Sequence, residues 1–291
     1  MELMTKVAVS PSAFGLAQAS DHIISVGSCF ASEVAAKMQA AGFDMMVNPF
    51  GILFNPVSIA HCLDRCTDKS EMTPDLLVEA DGRWHSWLHH GSFSSVTANQ
   101  CLEACNTSIA EGHNYLRSAT CLIVTFGTSW VFELIANGLV VGNCHKVSSS
   151  AFRRRRLTVD EVVEQWSHLI GKLKQFNPSL NIVFTVSPVR HKADGLHGNQ
   201  LSKSVLLLAV DELCSRFASS GVTYFPAYEV VMDELRDYRF YADNMTHPSP
   251  LAVEVVWQRF QEVYLSSACR EQARINTKQT KLSQHKPLYQ S

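Results

Sequence analysis

Long apolar runs are missing from this sequence of 291 residues. The longest, such as CLIVTF and VLLLAV, fall far short of the about 18 residues a membrane helix needs, so no membrane span is expected. An excess of one charge is missing as well. With 25 Lys+Arg against 27 Asp+Glu the formal net charge is −2, which gives no electrostatic basis for a nucleic acid partner. Only 18% of residues are charged while 46% are hydrophobic, a balance that excludes disorder. No repeat at a period of 20–50 residues occurs, which excludes solenoids and propellers. The start, MELMTKVAVSPSAFG, lacks the basic-then-apolar pattern of a secretory leader, and a cytoplasmic protein is the expectation.

No C-x-x-C occurs among the nine cysteines. Cys62/Cys66 and Cys101/Cys105 are spaced four apart on expected helices, with no partner pair at zinc-finger spacing. His85, His89 and His90 cluster without a nearby carboxylate. Reduced, mostly buried thiols are therefore expected, with no metal and no cofactor.

What is present is alternation. Short apolar runs at 23–26, 120–126, 181–186 and 222–225 each end in glycine, serine or proline, as strands buried on both faces do. Between them lie helical patterns. Asn55-Pro56 opens one, TVDE (158–161) has capping-box spacing before another, residues 199–218 form a third, and Ser249-Pro250 opens the last. This order predicts a three-layer α/β domain with a parallel sheet over residues 1–266. An insertion near 130–146 reads as a hairpin about Asn137-Gly138. Arg153–Arg156 reads as a solvated loop. Residues 267–291 turn polar and read as a flexible tail, with a docking arm as the alternative.

Ligands of such sheets bind beyond the carboxyl ends of the strands, which here read GSCFA (27–31), GTSW (127–130), SPVRH (187–191) and PAYE (226–229). Ser28 follows a tight glycine turn and precedes a helix. That position suits a nucleophilic hydroxyl beside unpaired backbone N–H groups; it equally suits a helix-capping serine. Cys29 is a rival nucleophile that strand alternation points towards the core. His247, in FYADNMTHPSP, is the candidate base, with Asp243 or Asn244 to orient it. Asn143, His145-Lys146 and Arg190-His191 are further polar groups near the crevice, suited to positioning a substrate or to local loop bonding.

Six ordered blocks, IISVGSCFASEVAAKM, NPFGILFNPVSIA, VTFGTSWVFE, VGNCHKV, TVSPVRHKADG and YFPAYEVVMDELRDYRFYADNMTHPS, resemble the GSCFA family across about residues 20–260. That resemblance implies kinship with the SGNH/GDSL hydrolases and their flavodoxin-like fold. It implies Ser28 as nucleophile, His247 as base, and Gly51 as an oxyanion amide. Two departures stand out. The D-x-x-H block has Asn244 where aspartate is expected, and the asparagine of a G-x-N-D block is absent from Gly127-Thr128-Ser129-Trp130. Thr128, Ser129 or Asn143 would then have to supply the missing oxyanion donor. The resulting expectation is a serine esterase or acyltransferase acting on a small-molecule or carbohydrate ester, an acetylated sugar among the candidates. The alternative is a catalytically weakened member that binds carbohydrate or serves in assembly.

Overall fold

Apolar strand runs alternate with amphipathic helices in the computed structural model, which describes residues 5–18 and 20–284. In chain order the elements are β1 (His22–Gly27), α1 (Cys29–Ala40), β2 (Asp44–Val47), α2 (Pro56–Asp68), β3 (Leu77–Ala80), β4 (Arg83–Ser86), α3 (Ala98–Ser118), β5 (Cys121–Phe126), β6 (Trp130–Leu134), β7 (Phe152–Arg156), α4 (Val159–Phe176), β8 (Asn181–Val186), α5 (Gly195–Arg216), β9 (Val222–Tyr224), a short α6 (Ala227–Glu229), α7 (Pro250–Tyr264) and α8 (Ser267–Gln284).

The main sheet runs β2-β1-β5-β8-β9, and every pair in it is parallel. Taken in chain order these strands stand 2-1-3-4-5, the flavodoxin-like arrangement, as expected. One row of side chains crosses the whole sheet: Met46, Ile24, Leu122, Ile182 and Val222 lie in register. They face the layer of α2, α3, α4 and α5, where Leu63, Ile109, Trp166 and Leu206 close the core. Alternation turns Ile23, Cys121 and Val183 to the opposite layer, against Phe30 and Met38 of α1 and Phe260 of α7. Each such side chain removed from water contributes about 1.5–3 kcal/mol.

Helix starts follow local chemistry. Thr158 Oγ1 accepts from the Glu161 amide at 3.2 Å while the Glu161 carboxylate accepts from the Thr158 amide at 2.7 Å, completing the capping box. Asn55 Oδ1 accepts from the Ser58 amide at 2.8 Å, with Pro56 in the first helical position.

Three expectations need correction. The Asn137-Gly138 turn forms, with Leu134 N–H donating to Leu139 O at 2.9 Å. However, β6 takes its ladder from β7, and only an isolated Glu133–Val140 bridge joins it to the far side of that turn. The arginine run is consequently a strand and not a solvated loop. Arg153 and Arg155 project to one face and both bind the buried Glu133 carboxylate, which needs such partners to be tolerated inside. Finally, residues 267–284 of the expected tail fold into α8. Cys269, Ala273, Asn276 and Thr280 recur at helical spacing and form a narrow contact stripe. Cys269 and Ala273 are buried, and Asn276 Nδ2 and Thr280 Oγ1 donate to the carbonyls of Ala41 and Ala40 at 2.9 and 3.2 Å. Residues 285–291 lie outside the described residues. No described helix is long and apolar enough to cross a membrane.

Candidate active site

β1 ends at Gly27, whose φ is +135° and whose Cβ, if it had one, would lie 2.1 Å from Thr125 O. Only glycine fits there. Asn48 Oδ1 accepts the Gly27 amide at 2.8 Å and Asn48 Nδ2 donates to Ser32 Oγ at 2.9 Å, tying the turn to the first helix. The turn sets Ser28 immediately ahead of α1 in extended conformation. Its hydroxyl makes no capping bond. Ser28 is 1% exposed and its Oγ has no hydrogen-bond partner among the described residues. Buried hydroxyls are normally paired, so the capping explanation does not hold for this side chain.

Ser28 and Cys29 border a cleft of about 670 Å³. Phe54 and Asn55 line it, as do Thr128, Trp130, Phe132 and Arg154 from the β6–β7 region, Val141–Cys144 from the insertion, Val189–Asp194 after β8, and His247. Cys29 therefore borders the cleft as well as the core, contrary to the expectation that it faces inward only. Burial pushes its thiol pKa up, despite the opposing backbone N–H groups of Phe30 and Cys29 itself, which leaves the thiol a poor nucleophile.

His247 stands exposed on the rim. Its Nδ1 lies 2.9 Å from Asn244 Nδ2 and 3.2 Å from Thr246 Oγ1. Asn244 Oδ1 accepts from the amides of Thr246 and His247 and from Thr246 Oγ1 at 2.9–3.0 Å. Asp243 makes no hydrogen bond to the imidazole among the described residues, so of the two orienter candidates Asn244 is the one in contact.

The other expected donors divide. The Gly51 amide is spent on Asn48 O at 2.8 Å, and Gly51 does not border the cleft. Ser129 is fully buried and turned to Ser202 of α5. Thr128 borders the cleft, but its Oγ1 is shared with Ser202 Oγ and the Trp130 amide. The Ser28 amide makes a long 3.3 Å bond to Thr125 O. Asn143 borders the cleft with its Oδ1 engaged by the His145 amide at 2.9 Å, which leaves its Nδ2 without a partner among the described residues. His145 is outside the cleft: it is stacked 4.5 Å from His85 with Nε2 on Ser86 O, and burial lowers its pKa to about 4. Arg190 borders the cleft.

One residue of this region has no place among the motifs of the sequence. Lys203 is wholly buried, with Nζ donating to Gly127 O at 2.5 Å and Ser187 O at 2.6 Å, the carbonyls that follow β5 and β8. Burial lowers its pKa to about 7. Its place in the stripe Lys203, Leu206, Val210, Leu213 was the signal that marked it as inward-facing. Arg154 lies 4.5 Å over the Trp130 ring and is paired with Asp194, linking β7 to the segment after β8. Burial, then the nearby Lys203, keeps His191 neutral with a pKa of about 4.

All nine cysteines are free, and no group of three His, Cys, Asp or Glu side chains suited to a metal ion occurs among the described residues. His85, His89 and His90 turn to different partners, respectively Ser94 and Ala80, Ser86, and Ser92.

The family described as GSCFA matches residues 22–260. No curated protein matches the chain. Similar solved structures include an acetyl xylan esterase from Butyrivibrio proteoclasticus, with 10% identity, 83% of this chain and 62% of that one covered, and a TM-score of 0.40. A carbohydrate esterase family 2 enzyme from Corynascus thermopiles has 10% identity, coverage of 92% and 68%, and a TM-score of 0.43. A family two carbohydrate esterase from Clostridium thermocellum has 11% identity, coverage of 94% and 67%, and a TM-score of 0.40. Likeness at this level identifies neither reaction nor substrate.

Proposed function

The chain belongs to the GSCFA family, and from that premise we propose that it is a serine ester hydrolase or acyltransferase of SGNH type with attenuated turnover, acting on a small or carbohydrate-borne ester. The observation that carries this reading is the Ser28 hydroxyl: buried, unpartnered among the described residues, and set at a helix N-terminus in a cleft that His247 also borders. An unpaired buried hydroxyl costs free energy, and a nucleophile waiting for its substrate is a reason to retain it.

In this reading Ser28 Oγ attacks the ester carbonyl. Its proton passes to His247 Nε2 in the less favoured tautomer that carries the ring proton on Nδ1, and then to the departing alkoxide as the C–O bond breaks. Water, or an acceptor hydroxyl in the transferase case, releases the acyl group by the same path in reverse. Asn143 Nδ2 and the N-terminal dipole of α1 support the oxyanion. Phe54 and Phe132, each 37% exposed, offer apolar faces to a sugar ring or an acyl chain.

Attenuation follows from Asn244. The alternative, a carbohydrate-binding or assembly role without turnover, rests on the same residue and on the engaged Gly51 amide. The test is release of p-nitrophenol from its acetate, and of acetate from a panel of acetylated sugars, by the wild type beside Ser28→Ala. Loss of turnover in the variant is expected. Equal turnover in both removes Ser28 from the chemistry, and glycan binding without turnover in either favours the alternative.

A further inference from the structure

The charge of the cleft does not follow the charge of the chain. In a protein of formal net charge −2, the cleft is bordered by Arg154, Arg190 and Lys192 against one carboxylate, Asp194. That carboxylate is only 4% exposed and is committed to Arg154. Lys192 Nζ reaches a main-chain carbonyl, that of Asn244, at 3.0 Å. Arg190 is half-buried, and among the described residues its guanidinium makes one hydrogen bond to a side chain, to Met232 Sδ at 3.2 Å. It has no acidic partner among the described residues.

A charge partly withdrawn from water gains from an acidic partner, and with one N–H of its five engaged by a thioether most of the donor capacity of Arg190 is unspent among the described residues. The backbone that carries the group is also held in place. The Arg190 amide donates to Thr246 O at 3.0 Å, which fixes its loop to the one that carries His247. A planar donor fork, pre-positioned and short of an anion, is the arrangement that reads carboxylates and phosphates bidentately.

We propose that the substrate of this cleft carries a negatively charged oxygen group, a carboxylate, phosphate or sulfate, and that Arg190 grips it while Lys192 adds to the attraction. This deepens the ester-processing reading and rests on it. It makes Arg190 a specificity residue: the anion fixes the register in which the ester meets Ser28.

The experiment compares mono-acetylated methyl glucoside with mono-acetylated methyl glucuronide, and with acetylated glucose 6-phosphate and 6-sulfate, which separate the anion types. The wild type is expected to favour an anionic ester by on the order of 10- to 100-fold in kcat/KM, with the preference shrinking as salt rises. Arg190→Gln should bring the ratio close to one, and Arg190→Lys, which keeps charge without the fork, should fall between. A wild-type ratio of one or below, or a ratio untouched by Arg190→Gln, overturns the proposal while leaving ester hydrolysis standing. A second readout is independent of turnover and of how well Arg190→Gln folds: calorimetric binding of glucuronate against glucose to Ser28→Ala. Tighter, salt-sensitive binding of glucuronate supports the subsite even where no ester is cleaved, and equal or absent binding of both overturns it.

Discussion

Asn244 presents its amide nitrogen, not its oxygen, to His247. The 2.9 Å contact joins Nδ2 to Nδ1, and the amide cannot be turned round, because its oxygen already accepts two main-chain N–H groups and the Thr246 hydroxyl. A nitrogen facing a donor must be an acceptor. The neutral imidazole therefore carries its proton on Nε2, the atom that a serine base needs free. An orienting residue would ordinarily accept Nδ1–H, whereas Asn244 donates to Nδ1.

Asn244→Asp should therefore raise turnover. One carboxylate oxygen would keep the three donors, and the other would take Nδ1–H and free Nε2. Loss of this carboxylate in a serine triad costs about 10⁴-fold, so a gain of at least 10-fold is a conservative expectation on that scale. A carboxylate also stabilises the imidazolium that forms as Ser28 attacks. Steady-state hydrolysis of p-nitrophenyl acetate checks the gain. An unchanged rate would show that His247 is not the base.

Ser28→Ala should leave stability unchanged or slightly raised. A capping serine costs about 1 kcal/mol when replaced by alanine, whereas this hydroxyl makes no bond among the described residues and its removal relieves an unpaired buried group. Denaturant unfolding measures it. A loss near 1 kcal/mol, the cap value, would mean the hydroxyl caps the helix in solution.

Lys203 makes stability depend on alkaline pH. Burial lowers its folded pKa from 10.5 to about 7, so between those values the unfolded chain binds the extra proton and stability rises with pH. The neutral amine still has two N–H groups for the carbonyls of Gly127 and Ser187. Thermal melts from pH 7 to 10 should show Lys203→Met losing this rise relative to the wild type. Parallel curves would place a charged lysine in the folded interior.

At the acid end the buried imidazoles act. Burial, the dominant cause for each, lowers His89 to about 3 and His145 and His191 to about 4. Below the ordinary value of 6.5 the unfolded state takes up protons that the folded state refuses, so stability falls as pH drops from about 6.5 towards 4. His145→Phe keeps the ring stacked on His85 and removes one titrating group. Its melting temperature should fall less steeply over that range, and an equal slope would show His145 already charged when folded.

The strands that carry the site were legible because each is a two-sided apolar run closed by a turn residue. The run at 181–186 coincides with β8, and the other three lie within a residue or two of β1, β5 and β9. Ser28 and His247 came from their places at strand and helix ends. What escaped was set by tertiary partners. Arg153–Arg156 has no strand propensity of its own, and it extends because Glu133 and Asp194 draw its side chains to alternate faces. The β3–β4 hairpin does carry a local signal, Asp81-Gly82, both at positive φ. The orientation of Asn244 depends on three hydrogen bonds that no spacing reveals. The free Asn143 amide likewise emerges only once its oxygen is seen to be occupied.

Helix α8 bears on how the molecule is made. Asn276 and Thr280 occupy the carbonyls at the far end of the helix that begins beside Ser28, and Cys269 Sγ reaches Leu16 O across 253 positions of sequence. Contacts of such separation carry a large loop-closure cost and form late. On the ribosome, where chains emerge at roughly 5–20 residues per second, the first-made helix must wait with its final carbonyls unsatisfied until residue 280 arrives. Nascent intermediates should therefore expose the α1–α7 face, the surface on which a holding chaperone would act.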